Sequence, residues 1–320
     1  MTTRKLEFSV NGVPVRRVAF GAEQLGGYEW GSVDVSAIER SVVLAAEEGS
    51  TFFDTADCYG HGESERRLGR ALGGLRSLAF VSTKFGVRFN DQGRAYYDND
   101  PDYSERALEG SLRRLHMDFV DLFQLHWPDG RTPLPRVFER LERFREDGRI
   151  RWYGVSNVSP ADIGELPEDW PGFATFSGQY SLVNRSHEAA IQALCVQRGL
   201  TFLSWGSLAQ GLLSGKYSQN FSFGADDRRT RLNYTNFHGE KLQRNLVLVE
   251  RLRSVAKEIG VSPAQVAIRF VLTSLPNSIA IVGVKNERQF IENSEASSVS
   301  LNESTFAALQ EASHWALEAL

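Results

Sequence analysis

The chain has 320 residues, 42% hydrophobic and 24% charged, enough for one large domain or two ordinary ones and for an apolar core without disulfides or a structural metal. Its two cysteines, Cys58 and Cys195, form no Cys-x-x-Cys pair and suit a reducing compartment. Thirty-six Lys and Arg against forty Asp and Glu leave a formal charge of −4, with no long basic block and no membrane-length apolar run, so neither nucleic acid nor a bilayer is an expected partner and a cytoplasmic location is expected.

The opening Met1–Glu7 carries no signal-like apolar run. Leu6–Val15 reads as a hairpin turning at Asn11-Gly12, a pair suited to positive φ, and placed to plug the bottom of a barrel. From about residue 17 onward, short apolar runs alternate with amphipathic stretches, the pattern of parallel strands joined by helices. The runs are Val18–Phe20, Ser50–Asp54, Leu78–Lys84, Phe119–Leu125, Ile150–Val155, Phe173–Ser177, Leu200–Ser204 and Ser278–Val282. Apolar spacings of three and four predict helices over Ser36–Glu48, Glu63–Leu72, Ser104–Leu115, Pro135–Asp147, Arg185–Arg198 and Arg288–Asn293. Ser104 reads as an N-cap, Pro135 and Pro263 suit first turns, and Gly49, Gly148, Gly199 and Gly260 mark stops.

Eight strand–helix units match the size of a closed α/β (β/α)8 TIM barrel, one domain over residues 1–320 with an N-terminal hairpin and a C-terminal helical tail. An open doubly wound sheet is disfavoured because the first strand–helix turn, Phe20–Gly27, lacks Gly-x-Gly-x-x-Gly. The polar segment between Leu212 and Lys241 is too long for an ordinary connection and is a candidate lid.

Asp54, Lys84, His126 and Ser156-Asn157 stand at or just beyond strand C-terminal ends, which a barrel gathers on one rim. A buried apolar strand has no structural need to finish in an ionisable group, so the set reads as an active site. Taken singly, Asp54 reads equally as a helix cap, His126 as a packed turn histidine and Lys84 as a surface side chain. Tyr59 lies in the loop after Asp54, which can fold it over the mouth. A phenol of ordinary pKa about 10 becomes a usable acid near neutrality if a cation stabilises its anion. Lys84 is the expected cation, held by Asp54, with His126 orienting a substrate oxygen.

Phe53–Gly69, Ser82–Gly86, Leu108–Asp129 and Gly148–Asn157 resemble motifs of the aldo-keto reductase family, and the resemblance extends along essentially the whole chain. It implies a barrel reductase that binds NADPH in extended form without a Rossmann fingerprint, with Tyr59 as general acid, Lys84 and Asp54 tuning it and His126 orienting the carbonyl. It further implies that Ser156, Asn157 and Gln179 hold the nicotinamide carboxamide. By the same resemblance Trp205 falls where the family stacks an aromatic ring, usually Tyr or Phe, on the nicotinamide, and Gly206-Ser-Leu208 stands in place of the family's Ser-Pro-Leu. Gly211–Tyr217, with Lys216, resembles the pyrophosphate-embracing segment; its glycine spacing and the Tyr after Lys216 do not make a Walker loop. The resemblance makes Gly283–Asn293 the last cofactor segment, in which Lys285 and Asn286 match the family's 2′-phosphate site and Gln289 and Asn293 its adenine-facing positions, Arg288 being a second phosphate candidate. On residue type alone, Lys216 reads equally as a solvent-facing charge, and Lys285–Asn293 as an ordinary helix start.

Tyr28, Trp30, Phe85 and Trp127, with Phe89, Tyr96 and Tyr97, are candidate walls for a small-molecule carbonyl substrate such as a sugar or a flat carbonyl compound, or simply loop packing. No metal motif is present. The alternative to a carbonyl reductase is an NADPH-binding partner protein of the same fold with little turnover; a hydrolase using Asp54 and Asp57 is weak because both lie on one short loop. The oligomeric state is left open.

Overall fold

The structure is a computed structural model and describes residues 9–317; the first residues of the expected hairpin, 6–8, lie outside the described residues. Strands β1 (Ser9–Val10) and β2 (Val13–Pro14) form the hairpin, with Asn11 and Gly12 at φ 44° and 81°. The remaining strands are β3 (Val18–Gly21), β4 (Thr51–Asp54), β5 (Ala79–Phe85), β6 (Val87–Phe89), β7 (Ala95–Tyr97), β8 (Val120–Leu125), β9 (Ile150–Ser156), β10 (Phe173–Gln179), β11 (Thr201–Trp205) and β12 (Ser278–Gly283). Eight of them, all but β1, β2, β6 and β7, close a parallel barrel in chain order, with β12 pairing back to β3. The pair β6–β7 is an antiparallel hairpin standing on the loop after β5.

The helices are α1 (Val35–Glu47), α2 (Glu63–Leu72), α3 (Pro101–Leu115), α4 (Leu134–Glu146), α5 (Pro160–Gly164), α6 (Glu188–Arg198), α7 (Gly239–Ile259), α8 (Pro263–Ser274), α9 (Glu287–Glu295) and α10 (Glu303–Leu317). Helix α3 starts before the expected Ser104: Asp100 caps it, accepting from the Asp102 and Tyr103 amides, Pro101 opens it, and Ser104 is buried inside. Helix α6 begins at Glu188 rather than Arg185, whose guanidinium instead pairs with that glutamate. Among the described residues no helix is long and apolar enough to cross a membrane.

Strand alternation places the site. Phe52, Phe80, Leu122 and Ala174 point into the barrel and pack with Leu203, Ile279 and Ile281, and Val10 and Val15 of the hairpin close this inner core from below. Two residues further along the same faces stand Asp54, Ser82 and Gln124, followed by Lys84 and His126, so the inward stripe changes from apolar to ionisable toward the C-terminal rim. The opposite stripe, including Phe53, Val81, Phe123 and Phe85, packs on the surrounding helices. A separate apolar cluster built from α7, α8, α10 and Leu212–Leu213 supports the segment after β11.

Candidate active site

Asp54 ends β4 and Lys84 stands in the last turnout of β5, both buried. The Lys84 ammonium donates to Asp54 Oδ2 at 2.7 Å and to the Thr55 carbonyl at 2.8 Å. Asp54 Oδ1 accepts from Ser82 Oγ, which in turn accepts from Gln124 Nε2 at 2.8 Å. Burial raises the Asp54 carboxyl above its ordinary range while the ammonium draws it back. Tyr59 folds over this pair: Lys84 Nζ lies 5.4 Å from the Tyr59 ring centroid, and the His126 ring meets the phenol edge-on at 5.7 Å. All four residues expected at the catalytic centre therefore converge.

The phenol is not acidified as expected. Burial, followed by the negative charges of Glu23 and Asp54, holds Tyr59 well above its ordinary pKa, with Arg228 opposing. The physical reason is first the burial of the phenol and then the approach of Glu23, a carboxylate that the sequence pattern does not single out, while the Lys84 ammonium directs its hydrogen bonds to Asp54 and Thr55. Tyr59 thus keeps its proton firmly in the ligand-free protein. His126 is held neutral, well below its ordinary pKa, by burial and by the Lys84 charge. Its main-chain N–H donates to the Phe85 carbonyl and its carbonyl accepts from Asn157 Nδ2 at 2.9 Å. Asn157 sits at φ 60°, a left-handed conformation that Asn tolerates, and also donates to Ser156 Oγ.

A second group of residues gathers after β11 and β12. Ala209, Gln210 and Gly211 are successive left-handed residues at φ 47°, 53° and 93°. Backbone strain of this kind persists where the surroundings enforce it and concentrates at ligand sites. Lys216 lies beside Gly211, its Nζ 3.6 Å from where a Gly211 Cβ would sit. Burial, Arg229 and Lys285 together push the Lys216 ammonium down to about 8. Lys285 is lowered by burial and by Arg229, and donates to the Trp30 carbonyl at 3.1 Å. Arg229 is buried and forms a two-pronged pair with Asp227, at 2.8 and 2.5 Å. Among the described residues neither lysine has a carboxylate within ion-pair distance, so this patch has a surplus of positive charge.

The candidate lid lies down on the first loop. Arg228 donates to Glu23 Oε1 at 2.5 Å and Glu29 Oε2 at 2.9 Å, its amide donates to the Glu29 carbonyl, and Arg231 pairs with Glu29. Asn286 caps α9 by accepting from the Gln289 amide, and Gln289 Oε1 accepts from the Lys285 amide, so Gln289 braces the lysine's backbone while Asn286 braces the helix start. A side chain at Gly283 would collide with Gln24, whose buried Oε1 has no hydrogen-bond partner. The buried Trp205 Nε1 is likewise without a partner, and Gln179 is aligned beside Trp205 in the β10–β11 register.

Residues 17–314 match the Aldo/keto reductase family. The chain belongs to that family. Membership makes it an oxidoreductase, and the motif resemblance and barrel expected from the sequence both hold. The NADP(+) aldo-keto reductase yakc of Schizosaccharomyces pombe is 30% identical over 93% of this chain and 88% of its own length. A probable voltage-gated potassium channel subunit beta of Oryza sativa subsp. japonica is 32% identical over 89% of this chain and 88% of its own length. Among solved structures, the glycerol dehydrogenase AKR11B4 from Gluconobacter oxydans has a TM-score of 0.85 at 30% identity, covering 98% of this chain and 96% of its own.

Within this family member the expected substrate walls are distributed unevenly. Trp127 stacks on Tyr97 at 5.6 Å, and Tyr28 meets His61, which packs on Phe89, so an aromatic rim surrounds the mouth. Phe85 is a correction: it faces outward, fully buried and stacked on Phe123, because it follows the inward Lys84 on an alternating strand. Trp30 is also turned from an open wall, 6% exposed beneath the guanidinium groups of Arg228 and Arg229. Leu208 packs between the barrel and the outer cluster, and Asn293 is buried in α9. Glu23, Gln24, Asp227, Arg228 and Arg229, which the sequence pattern does not single out, also stand against these candidate residues.

Proposed function

We propose that this protein is an NADPH-dependent reductase of aldehydes or ketones in which Tyr59 supplies the proton. The observation that carries the reading is the convergence of buried Asp54, Lys84 and His126 with half-buried Tyr59 in one cluster at the strand ends. The residues present fit the cofactor: two lysines without carboxylate partners, a strained run at Ala209–Gly211 and an unpaired buried indole N–H at Trp205 are features that an extended dinucleotide phosphate would use. NADPH, when bound, supplies a hydride.

Lys216 would neutralise pyrophosphate and Lys285 the 2′-phosphate, with Arg288 in the first turn of the helix that follows Lys285. Ser156, Asn157 and Gln179 would hold the carboxamide and Trp205 would offer its indole face. Tyr59, kept protonated by its surroundings, hydrogen-bonds the substrate oxygen and gives up its proton as that oxygen gains charge; the Lys84 ammonium then stabilises the phenolate. Neutral His126 orients the same oxygen. The aromatic rim of Tyr28, Phe89, Tyr97 and Trp127 suits a sugar or a flat carbonyl compound. Two free cysteines fit a reducing cytoplasm.

A second reading, a cofactor-binding partner protein with little turnover, is supported by the likeness to the channel subunit. Stopped-flow measurement of NADPH oxidation with a panel of sugar and aryl carbonyls separates the two. The reductase reading expects rapid oxidation by at least one class; its absence across the panel, with NADPH still bound, would favour the partner protein.

A further inference from the structure

We propose that Cys58 is a positioning residue whose thiol donates to Nδ1 of His126, keeping the single imidazole proton on Nε2, the nitrogen left to meet a substrate oxygen. The inference rests on the reading of His126 as the group that orients the carbonyl. Cys58 Sγ lies 3.6 Å from His126 Nδ1, and it is the hydrogen-bond partner of a ring nitrogen of this histidine among the described residues. The other bonds of His126 are made by its main chain, to Phe85 and Asn157, and fix where the ring stands without choosing its tautomer.

A neutral imidazole has one N–H and one accepting nitrogen, and what one nitrogen meets decides which carries the proton. Two arrangements fit the contact. In one, S–H donates to Nδ1; in the other, Nδ1–H donates to sulfur. A thiol sulfur is a weak acceptor and becomes a strong one only as thiolate. Burial, with Asp57 and Glu23 nearby, holds the Cys58 thiol well above its ordinary pKa, so the sulfur keeps its proton. Burial and Lys84 keep His126 from acquiring a second proton. The first arrangement therefore satisfies both groups. It leaves Nε2–H as a donor, which a carbonyl oxygen requires.

The thiol is half-buried and also lines a cavity of about 330 Å³ with Asp57, His61, Arg88, Phe89 and Tyr103, so the site has room for small changes at position 58 without rebuilding the barrel. Cys58→Ser keeps a donor of similar reach and Cys58→Ala removes it. The experiment is a long-range proton–nitrogen correlation spectrum of ligand-free, ¹⁵N-histidine-labelled protein, with His126 assigned by its loss in His126→Gln, alongside steady-state kinetics.

In wild type and Cys58→Ser, Nε2 should carry the proton. In Cys58→Ala the Nδ1–H form should appear, kcat should fall about 3- to 10-fold, and KM for NADPH should not move. A wild-type ring protonated at Nδ1 would overturn the proposal, as would a Cys58→Ala variant with unchanged tautomer and kcat. The spectrum is read without turnover. If no carbonyl is reduced by wild type, the reductase reading fails while the tautomer assignment is still decided.

Discussion

At the ends of β4, β5 and β8 the principal charges are compensated: Lys84 is bound to Asp54, and His126 and Tyr59 are held neutral by burial and by their neighbours. After β11 and β12 the opposite holds, since Lys216 and Lys285 are pushed together beside Arg229, with Asp227 as the nearby carboxylate. The first region sits on strands whose alternation fixes each side chain; the second sits on a strained loop with its own apolar support. The difference teaches that one barrel rim carries two opposite charge arrangements. On the proposed function, a closed charge balance would keep a proton in place until chemistry needs it, whereas repulsion between the cations would be released when an anion arrives.

Removing one lysine from each region tests that contrast most strongly. Lys84→Met leaves Asp54 buried without its partner and should lower unfolding free energy by about 3–5 kcal/mol in urea titrations. Lys216→Met removes repulsion and should change ligand-free stability by no more than about 0.5 kcal/mol, or raise it. Equal losses would erase the distinction. Lys285→Ala should weaken NADPH binding about 10- to 100-fold in fluorescence titrations, a loss on the scale of hydrogen bonds to a charged group, while NADH affinity shifts little. Matching losses for both cofactors would remove the 2′-phosphate assignment.

Asp57 is the exception on the catalytic side. Its buried Oδ1 has no hydrogen-bond partner, and burial followed by the Glu65 charge lifts its carboxyl from the ordinary 3.8 to about 8. The folded protein therefore holds a proton that the unfolded chain has released, and this contribution to stability is full below about 4 and is lost as pH rises through about 8. Asp57→Asn should flatten that slope and exceed wild-type stability at pH 9 by about 1–3 kcal/mol, read from urea midpoints across pH. The smallest effect concerns Lys216, whose pKa of about 8 should rise when phosphate binds. Above that pH, calorimetry in buffers of different protonation enthalpy should show proton uptake of less than about one per NADPH, absent in Lys216→Met.

Much of the first region was legible in the sequence because strands advertise themselves. Phe52-Phe53-Asp54 and Val81–Phe85 alternate with period two, so a strand's register alone carries Asp54 and Lys84 to one rim. The same rule, applied fully, excludes Phe85 from the pocket. The second region was legible only as a polar segment with recognisable glycines, since the contacts that give it meaning are long-range: Arg228 meets Glu23 across 205 residues and Lys285 meets the Trp30 carbonyl across 255. Local pattern carries no trace of such pairing. Helix α7 escaped for a related reason: its buried face includes Asn245 among Leu246, Val249 and Leu252, and it packs on α8 and α10 in the outer apolar cluster. The unacidified Tyr59 could not be read because its burial and the approach of Glu23 are tertiary facts.

The most direct test of the division of labour sets Tyr59→Phe beside wild type, with NADPH affinity measured by fluorescence titration and single-turnover oxidation by a carbonyl substrate measured by stopped flow. The account predicts NADPH affinity within about twofold of wild type and oxidation slower by about 10²–10⁴-fold. Oxidation at the wild-type rate in Tyr59→Phe would contradict it.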